Sequence, residues 1–325
     1  MTSLQNREIL LTGATGFIGS HLTKKLVQSG ASVTCLIRDE AKFARLADFI
    51  EITESSSNQS KGSLHCIKCD LADPKNLESV QDRLKGYDTL IHLATQISGA
   101  GDVVKNGPAQ INIDLKSTIE LIKAMTDMKC MCYLSSMAVF GATRSEPVTE
   151  TTETNPDNVY GICKLTMEKL LKLFSEYENV PVTILRPSSV YGPGNTSARA
   201  IPTFINKILK NEPLIVFGDG EQLRDYIYVE DVVNAIVLAL EHNKFDIFNI
   251  GAGKGCSIND LLKILSDIGK SAEPNIEYKS APDSTITFDF VYDISKAKSI
   301  LGFNPKTALH EGLSLEFEWR KNNLS

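Results

Sequence analysis

Residues Glu8 to Leu22, E-I-L-L-T-G-A-T-G-F-I-G-S-H-L, constrain the chain more tightly than any other stretch. Ile9, Leu10 and Leu11 form a short apolar run, as a strand buried on both faces requires. Gly13, Gly16 and Gly19 follow at three-residue spacing, and Phe17, Ile18, Leu22 and Leu26 then recur at helical period. Strand, glycine turn and helix in that order open a doubly wound α/β domain with an anion seated at the turn. A pyrophosphate needs close backbone approach, which a Cβ would block, and unpaired N–H groups at a helix N-terminus to receive its charge. Three glycines in an ordinary tight turn are the plain alternative, which the flanking strand and helix disfavour.

Further strands are expected at Ser32–Ile37, Leu64–Cys69, Thr89–Ala94, Met131–Ser136 and Val182–Arg186. Helices are expected at Ala41–Ile52, from Pro74 behind the cap Asp73, at Ile111–Met128 and at Val159–Tyr177, with Thr53–Gly62 a polar loop. This alternation implies a parallel sheet with right-handed crossovers, whose ligands lie beyond the C-terminal strand ends. Gly13–Gly19, Asp70, Thr95 and Ser136 then fall along one crevice. Beyond Pro187 the composition turns loop-rich, and Asp246–Ile250 reads as a late sheet strand. The expected division is a Rossmann domain over 1–187, joined by the strand near 246–250, and a smaller substrate-binding lobe mainly over 188–325.

A net charge of −6 argues against nucleic acid or an anionic membrane as partner. No apolar run is long enough to span a bilayer, and Met1–Asn6 is too polar for a signal peptide, so a cytoplasmic protein is expected. Seven cysteines, an odd number lying mostly in expected strands, suit reduced thiols. His65, Cys66 and Cys69 lie close together, but no second ligand pair follows at finger spacing, and no metal is expected.

Tyr160 and Lys164 stand four apart on an expected helix and therefore share a face. A phenol is a poor base at neutral pH, with a reference pKa of about 10. A nearby ammonium stabilises the phenolate and brings it toward working range. Ser136, at a strand end, can donate to the same substrate oxygen. The trio suits moving a proton on or off a hydroxyl while hydride leaves or joins its carbon.

With these residues in place, the chain resembles an extended short-chain dehydrogenase/reductase of the NAD(P)-dependent nucleotide-sugar epimerase/dehydratase/reductase family. The likeness covers nearly the whole length. It runs through T-G-A-T-G-F-I-G-S-H-L from Thr12, C-D-L-A-D from Cys69, L-I-H-L-A-T from Leu90 and L-S-S-M-A-V-F-G from Leu134. Y-G-I-C-K from Tyr160, L-R-P-S-S-V-Y-G-P-G from Leu185, R-D-Y-I-Y-V-E-D-V from Arg224 and F-N-I-G-A-G from Phe248 continue it.

The resemblance implies Ser136, Tyr160 and Lys164 as the catalytic set, with Asn112 supporting a lysine-linked water. It places cofactor contacts at Gly13, Thr15, Gly16, Phe17, Ile18 and Gly19, at Asp70 and Leu71 for the adenine, and at Ala94 and Thr95. Pro187 to Val190 would line the nicotinamide amide. Arg224 would meet the substrate's pyrophosphate, with Asn195 a second substrate contact; a surface salt bridge to Asp225 or Glu230 is the alternative for Arg224. Family members commonly pair through helices like Asn112–Met128 and Val159–Tyr177, so a homodimer is expected, with the apolar tail Leu313–Trp319 adding to the contact.

Three departures from the family pattern refine the expectation. Arg38, rather than a carboxylate, follows the end of the second strand, which favours NADP(H) over NAD(H); Asp39 keeps NAD(H) as the alternative. Met137-Ala138 stands where sugar 4,6-dehydratases carry an acidic pair, so dehydration is disfavoured. The run Ala281–Phe288 lacks the second phosphate-binding arginine that relatives often have there. The leading expectation is an NADP(H)-dependent reductase acting on a 4-keto group of a nucleotide-linked deoxysugar. The alternative is an NAD-dependent nucleotide-sugar C4 epimerase using the same trio. A catalytically silent cofactor-binding protein is the third, disfavoured because all three catalytic residues are present.

Overall fold

The computed structural model describes residues 4–5, 7–44, 46–47, 62–96, 103–143, 147–270, 275–280 and 288–323. The chain forms two units: one of 1–141, 156–186 and 233–248, the other of 142–155, 187–232 and 249–325. The first is built on β1 (Glu8–Thr12), β2 (Ser32–Ile37), β3 (Ser63–Lys68), β4 (Thr89–His92), β5 (Cys130–Leu134) and β6 (Val182–Pro187). The strand Asp246–Ile250 joins them in a seven-stranded sheet, running from that strand through β6, β5, β4, β1 and β2 to β3. Pairing from β3 across to β6 is parallel throughout. Ile9, Leu10 and Leu11 are completely buried, as are Leu90 and Ile91 in β4. An apolar run of this kind fits only a strand covered on both faces.

The strand order reverses at β1, which has β2 on one side and β4 on the other. In open α/β sheets the ligand crevice opens beyond the C-terminal strand ends at that reversal. Here those ends are Thr12 and His92, paired in register, and they lead into Gly13 and Leu93. The strands expected to run to Ala94 and Ser136 stop two residues earlier, at His92 and Leu134, and the freed residues turn into the crevice loops.

The helix expected at Ile111–Met128 begins instead at Val103. It runs as α-helix Val103–Ile111, a π-helical turn Asn112–Lys116 and α-helix Ser117–Ala124. Pro108 reads as a helix boundary because it lacks an N–H and crowds the preceding turn, yet it lies inside this helix. The π-turn that follows is a feature found often at functional sites. Asp73 caps the helix Pro74–Val80 by accepting from the Lys75 N–H, as its sequence position requires. Of the expected loop Thr53–Gly62 only Gly62 is described, and 281–287 also lie outside the described residues.

The second unit holds a three-stranded sheet, Gly255–Ser257, Leu223–Tyr228 and Ser189–Tyr191, and a parallel pair, Leu214–Phe217 with Ile276–Lys279. Asp225 is its buried hub. Its carboxylate accepts from Ser188 Oγ at 3.2 Å and from the N–H groups of Ala252, Gly253 and Tyr292 at 2.7, 3.1 and 3.2 Å. The C-terminal helix Leu309–Asn323 docks by Gly312, where a Cβ would lie 2.3 Å from the Tyr191 hydroxyl. Leu313 and Phe317 are buried in this packing, so the tail expected to join a partner contact spends those two side chains within its own chain.

Candidate functional site

The glycine turn is shaped by contacts that leave no room for side chains. Gly13 has φ +75°, and a Cβ there would sit 2.9 Å from both the Leu93 carbonyl carbon and the Ala94 nitrogen. A Cβ on Gly19 would fall 2.0 Å from the Gly13 oxygen. Gly16 is the N-cap of the helix Phe17–Gln28 and provides no side-chain cap, and the first turn holds no acidic residue. The helix N-terminus therefore offers main-chain N–H groups and positive dipole to an anion. This backbone cradle fits a dinucleotide pyrophosphate. Thr15, Phe17 and Ile18 are half-buried around it.

Arg38 directly follows the end of β2 and is exposed. Asp39 Oδ1 accepts from the N–H groups of Ala41 and Lys42 at 3.0 and 3.2 Å, so the carboxylate caps its own helix. Asp70, after β3, accepts from the Ala72 N–H at 3.0 Å, and Leu71 is buried beside it. Asn112 Nδ2 donates to the Ala72 carbonyl at 2.6 Å, tying the π-turn to this same loop. The Ala94 N–H donates to Thr12 Oγ1 at 3.1 Å, and Thr95 Oγ1 donates to Asp114 Oδ1 at 2.8 Å.

Ser136 caps a short 3-10 turn, Met137–Val139, through its Oγ, which accepts from the Ala138 N–H at 3.1 Å. The helix Val159–Glu178 abuts this turn so closely that a Cβ on Gly161 would lie 2.4 Å from the Ala138 oxygen. Asn158 starts the helix by accepting from the Gly161 N–H at 2.9 Å. Tyr160 and Ser136 are thereby held against one another's elements. Lys164 is 1% exposed, and its Nζ donates to the Leu134 carbonyl at 3.1 Å. The ammonium lies 4.7 Å from the Tyr133 ring centroid and 5.7 Å from that of Tyr160. Burial lowers the Lys164 pKa, against the opposing pull of Asp114, Glu168 and Cys163.

Behind the trio lie polar residues that the sequence alone did not single out. His92 is fully buried between Thr12 Oγ1 at 2.9 Å and Thr118 Oγ1 at 3.0 Å, and stacks on Tyr133. Burial, and then Lys164, push its pKa down to about 3, so it is neutral. Glu168, one turn beyond Lys164, takes a two-pronged contact from Arg186, Nε at 2.9 Å and Nη2 at 2.6 Å, and a hydrogen bond from Ser135 Oγ. Arg186 also stacks on Phe140 at 4.9 Å. A carboxylate at i+4 from Lys164, and an arginine closing an apolar strand, are the only signals that could have flagged this pair.

In the second unit, Arg224 Nη1 donates to the carbonyls of Leu223 and Phe288 at 2.6 and 2.5 Å, and its guanidinium lies 6.0 Å from the Phe288 ring. Asn195 is 4% exposed, with Oδ1 accepting from the Ser197 N–H at 3.0 Å. Pro187 is buried and Val190 half-buried.

The sheet order and the glycine cradle define a Rossmann-type nucleotide-binding α/β fold. The sequence profile of the NAD dependent epimerase/dehydratase family matches residues 9–251, and the chain belongs to that family. It is 34% identical, over 97% of its length and 99% of the relative's, to a Methanocaldococcus jannaschii protein provisionally named a UDP-glucose 4-epimerase. The structure of a Thermotoga maritima UDP-glucose 4-epimerase with UDP-glucose aligns at TM-score 0.82 and 30% identity, covering 98% of this chain and 99% of that one. A Bacillus cereus UDP-glucuronic acid 4-epimerase, in complex with UDP-glucuronic acid and NAD, aligns at TM-score 0.79 and 27% identity, covering 97% and 99%.

Proposed function

We propose that the protein is a nucleotide-sugar C4 epimerase that takes a UDP-linked hexose and keeps a nicotinamide dinucleotide in its first unit. The carrying observation is the buried Lys164 ammonium, fixed on the Leu134 carbonyl 5.7 Å from the Tyr160 ring. An ammonium placed beside the ring attracts negative charge on the phenol oxygen and so favours its ionised form. Tyr160 then takes the proton of the C4 hydroxyl and later returns it, while Ser136 Oγ holds the same oxygen. Arg224 and Asn195 bind the diphosphate and the sugar. The bound cofactor supplies the hydride acceptor and donor at C4.

The relatives named above, similar over nearly their whole lengths, support the epimerase over the reductase expected from Arg38. The NAD in the B. cereus complex, and the commitment of Asp39 Oδ1 to its own helix, leave Arg38 as the residue on which the choice between NAD and NADP turns. Pairing through the helices Val103–Ala124 and Val159–Glu178 is the proposed assembly; Val104, Ile111, Ile119, Ile162, Leu173 and Tyr177 leave them exposed and apolar. A cytoplasmic location goes with it. No described helix is long and apolar enough to cross a membrane.

Purified protein is incubated with UDP-glucose or UDP-galactose without added reductant, and separately with UDP-linked 4-keto-6-deoxysugars and NADPH or NADH. Interconversion of the first pair establishes the epimerase. Stoichiometric consumption of reduced nicotinamide with the keto-sugars, and no interconversion, establishes the reductase instead.

A further inference from the structure

The stretch Tyr191-Gly192-Pro193-Gly194-Asn195 carries Asn195, the residue assigned above to the substrate, and its backbone is held from far along the chain. Gly192 has φ +142° and Gly194 φ +88°, conformations in which local preference fixes little. Glu316, wholly buried in the C-terminal helix, accepts from the Gly192 N–H through Oε2 at 2.7 Å. Its Oε1 accepts from Arg320 Nε at 3.1 Å. Arg320, 6% exposed, donates through Nη2 to the Asn195 carbonyl and through Nη1 to Asn206 Oδ1 at 3.2 Å. Two side chains one turn apart therefore grip the two ends of the Gly192–Asn195 loop.

We propose that Glu316 and Arg320 are positioning residues for nucleotide-sugar binding, holding the Gly192–Asn195 loop in the shape in which Asn195 meets the substrate. The inference rests on the nucleotide-sugar reading of the second unit. Neither side chain is assigned a substrate contact, so the effect passes through the loop. Burial raises the Glu316 carboxyl to about 7, against the opposing pull of Arg320 and the Gly192 N–H. The groups that face it are Arg320 on its own helix and two tyrosines, Tyr191 and Tyr228. Those tyrosines are also within reach of Asp231 and of Glu311, and Tyr228 of Glu230. Both phenols are pushed up by burial and stay neutral through the neutral range. As pH falls through 7, Glu316 takes up a proton and gives up the charge that anchors Arg320.

If the ionised carboxyl is the competent form, the apparent dissociation constant is the intrinsic one divided by the ionised fraction, and that fraction falls about tenfold from pH 8 to pH 6. The diphosphate of UDP-glucose stays ionised across this range, so UDP-glucose is the probe. Its affinity is measured by calorimetry from pH 6 to 8 for wild type, Glu316→Gln and Arg320→Gln. NAD is titrated in parallel as the control for the first unit, and thermal melts report folding. The expected result is a wild-type affinity that weakens about tenfold toward pH 6. Glu316→Gln, which has no ionised form, binds more weakly at every pH than wild type does at pH 6, with no pH dependence, and NAD affinity is unchanged. A wild-type affinity that is flat with pH, or a Glu316→Gln protein that binds like wild type, overturns the proposal. If the variants do not fold, the wild-type series decides it alone. A wild type that binds no UDP-glucose at any pH overturns the nucleotide-sugar reading, and this inference with it.

Discussion

Replacing Arg186 by Met tests whether the Glu168 pair holds the catalytic helix in place. Arg186 and Glu168 side chains are 4% and 2% exposed, and the contact is two-pronged at 2.9 and 2.6 Å. Methionine fills much of the arginine stem but takes both guanidinium hydrogen bonds from the buried Glu168 carboxylate, leaving it the Ser135 hydroxyl and the unbonded charge of Lys164 one turn away. Removing one partner of a buried pair destabilises by about 3–5 kcal/mol, because the remaining charge has lost both water and counter-ion. With a urea slope of about 2 kcal/mol/M, the unfolding midpoint followed by far-UV circular dichroism falls by about 2 M. Adding Glu168→Leu restores most of that loss, because an apolar pair of similar volume needs no compensation. A midpoint shift below about 0.5 M for Arg186→Met, or a double variant no more stable than the single one, would show that water or another group compensates Glu168 and refute the reasoning.

Three further outcomes follow from the geometry. Gly19→Ala forces the glycine turn open, since its Cβ would lie 2.0 Å from the Gly13 oxygen, and dinucleotide affinity measured by calorimetry drops at least about tenfold. Tyr160→Phe lowers kcat by about 10²- to 10⁴-fold with cofactor affinity retained; a loss under tenfold would remove Tyr160 from the proton transfer. His92 has a folded pKa depressed by burial to about 3, so the unfolded chain binds the extra proton as pH falls below about 6.5. Its contribution to stability is fully present above that pH and is lost toward pH 3, reaching about 2 kcal/mol by pH 5; a His92→Asn variant whose stability changes with pH like wild type would contradict it.

The parallel core was legible because its central strands, such as β1 and β4, are short apolar runs ended by a turn, and burial on both faces demands that pattern. Ser32–Ile37 and Asp246–Ile250 fall where the sequence puts them. The helix at Val103 was not legible, because Pro108, which lacks an N–H and disfavours a helix interior, lies inside it. The glycine cradle and the Tyr160–Lys164 spacing are local and could be read directly. Glu168 with Arg186, Asp225 with Ser188, and Glu316 with the Gly192 N–H could not: each is an ordinary charged residue until its partner, 18, 37 and 124 positions away, is beside it.

Each legible chemical residue sits next to one of these illegible pairs. Glu168 is one turn from Lys164, and Ser135, which donates to it, immediately precedes Ser136. Arg186 closes the strand beside β5, so a single carboxylate joins the catalytic helix to two strand ends. In the second unit, Asp225 adjoins Arg224, and Arg320 bonds the backbone of Asn195 itself. Under the proposed function, a proton shared by Tyr160, Ser136 and a substrate oxygen needs those atoms held within a fraction of an ångström, and side chains on helices and strands achieve that only when their own supports are locked. Substitution of Glu168 or Arg186 therefore lowers kcat as well as stability, although neither side chain is assigned a contact with substrate. The loss in kcat should persist at temperatures where the variant is fully folded, which separates lost alignment from lost protein.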